Sequence, residues 1–353
     1  MLERDIYDRY RIYPDEITNI GDDYLIFSEG EVYLIRPIDQ GIRGRLQEKV
    51  AMAEWLQYYG EKDVCTFIKN KEGKRQLLPV DGKETVVMQI PKLSYREFPS
   101  YKGSIGRRLA QFHQKGVSYS NQKKERKEFV PWKERWERRL DQLENWYIHI
   151  VREKKKNKFD EEFCITYPYF MGLTENAIQL MTDVYFDVPQ ASINPYHTIC
   201  HLRFQESSWL TVEEGAPSRI KVPTDFIYDH FTRDLGEYVR HLWVNYGWTE
   251  ECKKEITTFL NDYESMYKLS TAEQIQLMAR LMFPSHYFDS VEKYYQTYDN
   301  KDKEQCLAYF KQTEKYEELI LFVAERFRSR NQYLVVPEWL SGKRNKVAST
   351  ASF

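Results

Sequence analysis

The chain has 353 residues, 30% of them charged and 42% hydrophobic, which suits one large two-lobed globular domain or two modest ones. A formal net charge of -2 excludes a general electrostatic attraction to nucleic acid, and no apolar run approaches the length of a membrane span. The five cysteines, Cys65, Cys164, Cys200, Cys252 and Cys306, are scattered without a C-x-x-C pair, which argues against a disulfide framework and a structural zinc site and fits a reducing compartment.

Met1–Tyr13 is charged and lacks the apolar core of a secretory signal, so export by such a signal is not expected. Asp22–Ser28 and Val32–Pro37 are apolar runs separated by Glu29-Gly30-Glu31, a hairpin signal. Over Gly44–Tyr59, Leu46, Val50, Ala53 and Trp55/Leu56 recur at helical spacing until Gly60. Val64–Lys69 and Arg75–Pro79 flank the turn residues Lys71–Lys74, and Asp81-Gly82 leads into Thr85–Ile90. The expectation to Pro91 is a five-strand antiparallel sheet with one covering helix.

Beyond Pro91 the pattern turns helical. Ile105, Leu109 and Phe112 mark a helix ending near His113. Pro131 opens a long one with Trp132, Trp136, Leu140, Leu143 and Tyr147 on a stripe, at a position where its missing N–H costs little. Further stripes are Leu235/Val239/Leu242, Ile256/Leu260/Tyr263/Tyr267, Ile275/Met278/Met282, Val291/Tyr294, Leu307/Phe310 and Leu319/Phe322/Val323/Phe327. Tyr196–Phe204 and Val222–Tyr228 are short and β-rich. The basic runs Lys123–Lys127 and Arg152–Lys158 read as solvated helix ends or loops, and Ser341–Phe353 as a disordered polar tail. The organisation is thus α+β: a sheet lobe over 1–92, a helical lobe over 93–340 and a tail over 341–353. A sheet lobe followed by a helical lobe with two central strands is the arrangement that kinase-type phosphotransferases need, one lobe clamping phosphates and the other presenting a catalytic loop.

Four stretches bear on chemistry. Ile199-Cys200-His201-Leu202-Arg203 with Ser208 resembles the C-H-G-D-x-x-x-x-N catalytic loop of aminoglycoside and choline-type kinases. That resemblance puts Arg203 where the base Asp stands and Ser208 where the Mg²⁺-binding Asn stands. A guanidinium stays protonated, cannot serve as a base and repels a cation. Pro223–Asp229 followed by Arg233-Asp234-Leu235 resembles the family's metal-binding strand end and the R-D-L that opens a helix. Counted back from Asp234, the acidic pair falls at Val222 and Thr224, with Asp225 one residue away. Asp225 stays open as a shifted metal ligand or a turn residue, and Asp234 as a helix cap. Val32–Arg36 resembles the strand ending in the phosphate-binding Lys, with Arg36 in its place and Glu48 or Glu54 as helix partner. Leu109–His113 resembles the L-A-x-F-H helix, whose His is structural in the family.

Together these stretches resemble the CotS-type spore coat kinase-like family. The resemblance implies a protein-kinase-like two-lobed fold, synthesis in the mother-cell cytoplasm, deposition in the spore coat and other coat proteins as partners. The nucleotide-pocket candidates are Arg36, Glu48, His201 and Asp225. The lost base and metal ligand favour a pseudokinase with no metal, in a binding or structural role. The alternative is a small-molecule phosphotransferase with a rearranged site, using ATP and Mg²⁺ held by Asp225 and Asp229. A Cys200-His201 hydrolase dyad is excluded because neighbours on an extended segment point to opposite sides. His197, His201, His230 and His241 lack the spacing of a metal site.

Overall fold

Glu29 and Gly30 both adopt positive φ, 50° and 75°, as a tight two-residue hairpin turn requires. This turn joins β2 (Asp23–Ser28) to β3 (Glu31–Pro37) and sets the register from Ser28 opposite Glu31 to Tyr24 opposite Ile35. The computed structural model describes residues 2–73, 75, 78–80, 82–92, 104–122, 132–189, 197–210, 219–297, 303–304, 306, 316–334 and 337. By compactness the chain divides into Met1–Lys124 with Tyr196–Asp234, and Glu125–Pro195 with Leu235–Phe353.

In the first unit, β1 (Glu16–Ile20), β4 (Thr66–Phe67), β5 (Leu78–Val80) and β6 (Lys83–Ile90) complete a six-stranded antiparallel sheet ordered β1-β2-β3-β6-β4, with β5 also on β6. Five strands were expected. The extra one, β1, is an edge strand with almost every residue exposed, so it carries no apolar alternation. Consecutive apolar residues on the inner strands face opposite ways. Leu25, Leu34, Val86 and Met88 pack with Val50 of α3 (Leu46–Tyr58), while Ile26, Ile35 and Val87 pack with Ile6 of α1 (Leu2–Tyr10) and with Ile12. The sheet therefore has a helix on each face, where the sequence indicated one. The expected Gly44–Tyr59 helix is α3 preceded by a separate turn, α2 (Gln40–Gly44), which Asp39 caps by accepting the Ile42 N–H.

α4 (Ile105–Gly116) seats on β7 (His197–His201), which pairs antiparallel with β10 (Phe226–His230). At this seat only a glycine fits. A Cβ on Gly116 would lie 2.4 Å from Thr198 Oγ1 and 2.7 Å from the Ile199 nitrogen. A second short ladder joins β8 (Trp209–Leu210) to β9 (Ile220–Lys221), and Lys221 bridges to Val64 beside the sheet.

The second unit holds α5 (Trp132–Arg152) and α6 (Lys158–Asp187), then most of α7 (Thr232–Tyr246), and α8 (Glu250–Met266), α9 (Thr271–Met282), α10 (Ser285–Gln296) and α11 (Tyr316–Arg328). α9 is buried from Ala272 to Met282 and takes α6 and α11 against it. α6 was not read from the sequence. It runs for 30 residues behind an Asn157–Asp160 capping box, and Pro168 sits inside it. The Arg152–Lys158 run is the end of α5, a connector and the start of α6. Lys123–Lys127, Pro131, Leu307/Phe310 and the tail 341–353 lie outside the described residues.

Candidate functional site

His201 ends β7 and Asp234 lies in the first turn of α7. The Asp234 carboxylate accepts the backbone N–H of His201 at 3.0 and 3.1 Å, His201 Nδ1–H at 2.7 Å and His113 Nε2–H at 3.1 Å. It does not cap its helix; it turns back to the strand and to α4. On the other side of the His201 ring, Trp209 Nε1–H donates to Nε2 at 3.1 Å. An indole nitrogen only donates, so the hydrogen-bond network assigns the proton on His201 to Nδ1. Both ring nitrogens are thereby committed.

Asp234 is fully buried, which works to raise its carboxyl, yet the two imidazoles outweigh burial and hold it well below the usual carboxylate range. Burial pushes the His113 imidazole down, against the pull of Asp234. His113, Cys200 and Asp234 bring one donor atom each within 4.8 Å of one another. His113 and Asp234 are hydrogen-bonded to each other, and Cys200 Sγ lies 3.5 Å from the Asp229 carbonyl.

The loop after His201 is held from several directions. Leu202 N–H donates to the Asp225 carbonyl at 2.7 Å, and Arg233 reaches the Leu202 carbonyl with Nε and Nη2 at 3.1 and 2.7 Å. Ser208 Oγ accepts the Gln205 N–H at 3.0 Å and donates to the Arg203 carbonyl at 2.9 Å. Arg203 itself lies exposed on this loop. The loop is thus tied to the backbone, with an exposed cation at Arg203 and the Ser208 hydroxyl spent on the main chain.

Arg36 at the end of β3 does not pair with Glu48 or Glu54, the helix carboxylates expected to hold it. Asp23 holds it, through Nε at 3.1 and 3.0 Å and Nη2 at 2.7 Å, and Asp225 takes Nη1 at 3.1 Å. Glu54 pairs instead with Arg75 at 2.5 Å, and Glu48 is half-buried on α3. Its neighbour Lys49 is buried and donates to the Phe226 carbonyl at 2.8 Å; burial pushes its amine down to about 8 against the opposing charge of Asp225. Val222 lies in the apolar core, and the buried Thr224 hydroxyl is 3.4 Å from Arg36 Nη1. Asp229 is held by Arg233 at 2.9 Å. Arg36 and Asp225 both stood among the pocket candidates, but their pairing was not legible, and Asp23, the other carboxylate on Arg36, was not among the candidates.

These residues fit Mg²⁺ poorly. Ser208 is turned to a carbonyl, Val222 and Thr224 bring no carboxylate, and Asp225 already serves a guanidinium.

The architecture matches solved phosphotransferases. An aminoglycoside phosphotransferase from Alicyclobacillus acidocaldarius aligns at a TM-score of 0.67 with 14% identity, covering 91% of this chain and 95% of that one. The spectinomycin phosphotransferase APH(9)-Ia, solved with ADP and spectinomycin, aligns at 0.59 with 15% identity over 91% and 96%. The fold is therefore that of the aminoglycoside phosphotransferases, kinase-like, with a sheet-rich N-terminal part and a helical C-terminal part. Within it, the chain belongs to the family described as "Spore coat putative kinase YutH", which matches residues 3–322. The endospore coat-associated protein YutH of Bacillus subtilis (strain 168) is 32% identical over 347 residues, 96% of this chain and 98% of that protein. Among the described residues no helix is long and apolar enough to cross a membrane.

Proposed function

We propose that this protein is an endospore coat-associated member of its family that binds rather than phosphorylates, as a structural or recruiting component of the coat. The observation that carries the reading is the Arg36–Asp225 ion pair. In a phosphotransferase of this fold the strand cation belongs to the phosphates and the carboxylate to the metal. Here the two neutralise each other. The rest of the loop agrees: His201 has no nitrogen left to take a proton, Arg203 cannot take one, and Ser208 faces the backbone. A general base contributes about 10²–10⁴-fold in rate, so its loss alone removes a useful turnover. The coat assignment rests on the family and on the name of the Bacillus subtilis relative, and implies mother-cell synthesis and coat proteins as partners.

The test is ATP turnover and nucleotide binding, with and without Mg²⁺, across sugar, choline and aminoglycoside acceptors. The expected result is no Mg²⁺-dependent turnover. Turnover that survives Arg203→Ala but is lost in Asp225→Ala would establish the rearranged kinase instead. For location, a fluorescent fusion is expected on the forespore surface. Uniform signal in vegetative cells with none on spores would overturn that part.

A further inference from the structure

We propose that Asp23 is a built-in occupant of the anion site at Arg36, so that phosphate-bearing ligands are kept out by a carboxylate of the protein's own hairpin. This deepens the non-catalytic reading above and rests on it.

The geometry is specific. The tight turn at Glu29-Gly30 pairs Tyr24 with Ile35, and one step further along both strands brings Asp23 opposite Arg36. Asp23 is the first residue of β2, directly after the β1–β2 turn, where Gly21 takes a φ of 61°. From there its carboxylate meets the Nε/Nη2 edge of the guanidinium in a two-pronged fit. That is the edge and the donor fork with which an arginine grips a phosphate. The remaining nitrogen, Nη1, goes to Asp225 and Thr224. All three guanidinium nitrogens are thus spoken for by protein oxygens.

The charge count points the same way. Asp23 and Asp225 cancel Arg36 and leave one negative charge over, which the Lys49 ammonium beside Asp225 offsets. A triphosphate approaching this site meets no net positive field and must displace a carboxylate before it gains a single charged hydrogen bond. Asp23 and Arg36 are 15% and 18% exposed, so the pair is shielded enough to persist in salt yet open enough for exchange.

The experiment uses the full chain and inorganic tripolyphosphate as probe, titrated calorimetrically in EDTA at low salt. Asp23→Asn removes the competing charge and keeps the shape. It is expected to bind tripolyphosphate at least about tenfold more tightly than the parent. That gain should fade with added salt and vanish in the double variant Asp23→Asn/Arg36→Gln. Asp225→Asn, which frees only Nη1, should give a smaller gain and serves as the release if Asp23→Asn does not fold. The proposal is overturned if folded Asp23→Asn, or Asp225→Asn in its stead, binds no better than the parent. It is also overturned if the gain survives loss of Arg36, since the anion would then be bound elsewhere. Mg²⁺-dependent turnover by the parent protein would overturn the non-catalytic reading; an unchanged tripolyphosphate affinity would overturn only the role of Asp23.

Discussion

Asp234 and Asp225 are close in sequence and lie in the same unit, yet they do different work. Asp234 is sealed, accepts from two imidazoles and a backbone N–H, and ties α4, β7 and α7 together. Asp225 keeps a third of its side chain in solvent and meets one guanidinium that it shares with Asp23. Burial decides the difference. A carboxylate with no water to return to is a structural commitment, while one at the rim can be exchanged for another anion. The first kind of residue holds the frame of the fold, and the second kind lies where the proposed loss of chemistry would be felt.

The comparison breaks most sharply at the buried end. Asp234→Ala leaves two imidazoles and a buried N–H without their acceptor, and is expected to cost about 3–5 kcal/mol in urea unfolding. A loss below about 1 kcal/mol would show that water takes over the hub. Gly116→Ala tests the seat beneath it. The added methyl meets Thr198 and the backbone of Ile199, and overpacking of this kind costs about 1–3 kcal/mol, with the far-from-site sheet unaffected in hydrogen exchange. At the rim, Arg36→Gln should cost less, about 1–2 kcal/mol, because Asp23 and Asp225 can rehydrate. An equal or larger loss than Asp234→Ala would erase the distinction drawn here.

The smallest effect is in pH. The folded His113 imidazole lies below its ordinary value, so between the two values the unfolded chain binds the extra proton. Its contribution is present above about pH 6.5 and is lost as pH falls below that toward the folded value. His113→Gln keeps a donor for Asp234 without titrating, so the parent-minus-variant stability difference should shrink on acidification over that window. A flat difference would mean that His113 does not couple to the fold in this way.

Much of this was legible in the sequence, and the misses have physical causes. The β2–β3 hairpin and the helical stripes of α3, α4, α5, α8 and α9 are local patterns, set by turn chemistry and period, and local patterns survive without tertiary context. The loop resemblance that put Arg203, Ser208 and His201 forward as candidates rests on the same kind of local pattern. α6 escaped because Pro168 and the Tyr-rich stretch around it interrupt the pattern that Phe159, Phe163, Phe170, Leu173, Ala177 and Val184 otherwise keep. The partner of Arg36 was sought on a helix by analogy, although stepping back along the hairpin from Glu29-Gly30 would have delivered Asp23. The His113–Asp234 contact joins residues 121 apart, and nothing local announces it.

The helix on the far face of the sheet has a consequence for the order in which the sheet closes. Ile6 and Ile12 complete a cluster whose other members, Leu78, Val80 and Val87, lie far along the chain. Until those strands form, α1 has no partner for its apolar side, and a helix of 9 residues has little stability alone. The sheet must wait for β5 and β6 before its second face can close, a non-local step of the kind that slows folding. In refolding, α1 is therefore expected to gain hydrogen-exchange protection only together with β5 and β6, not ahead of them.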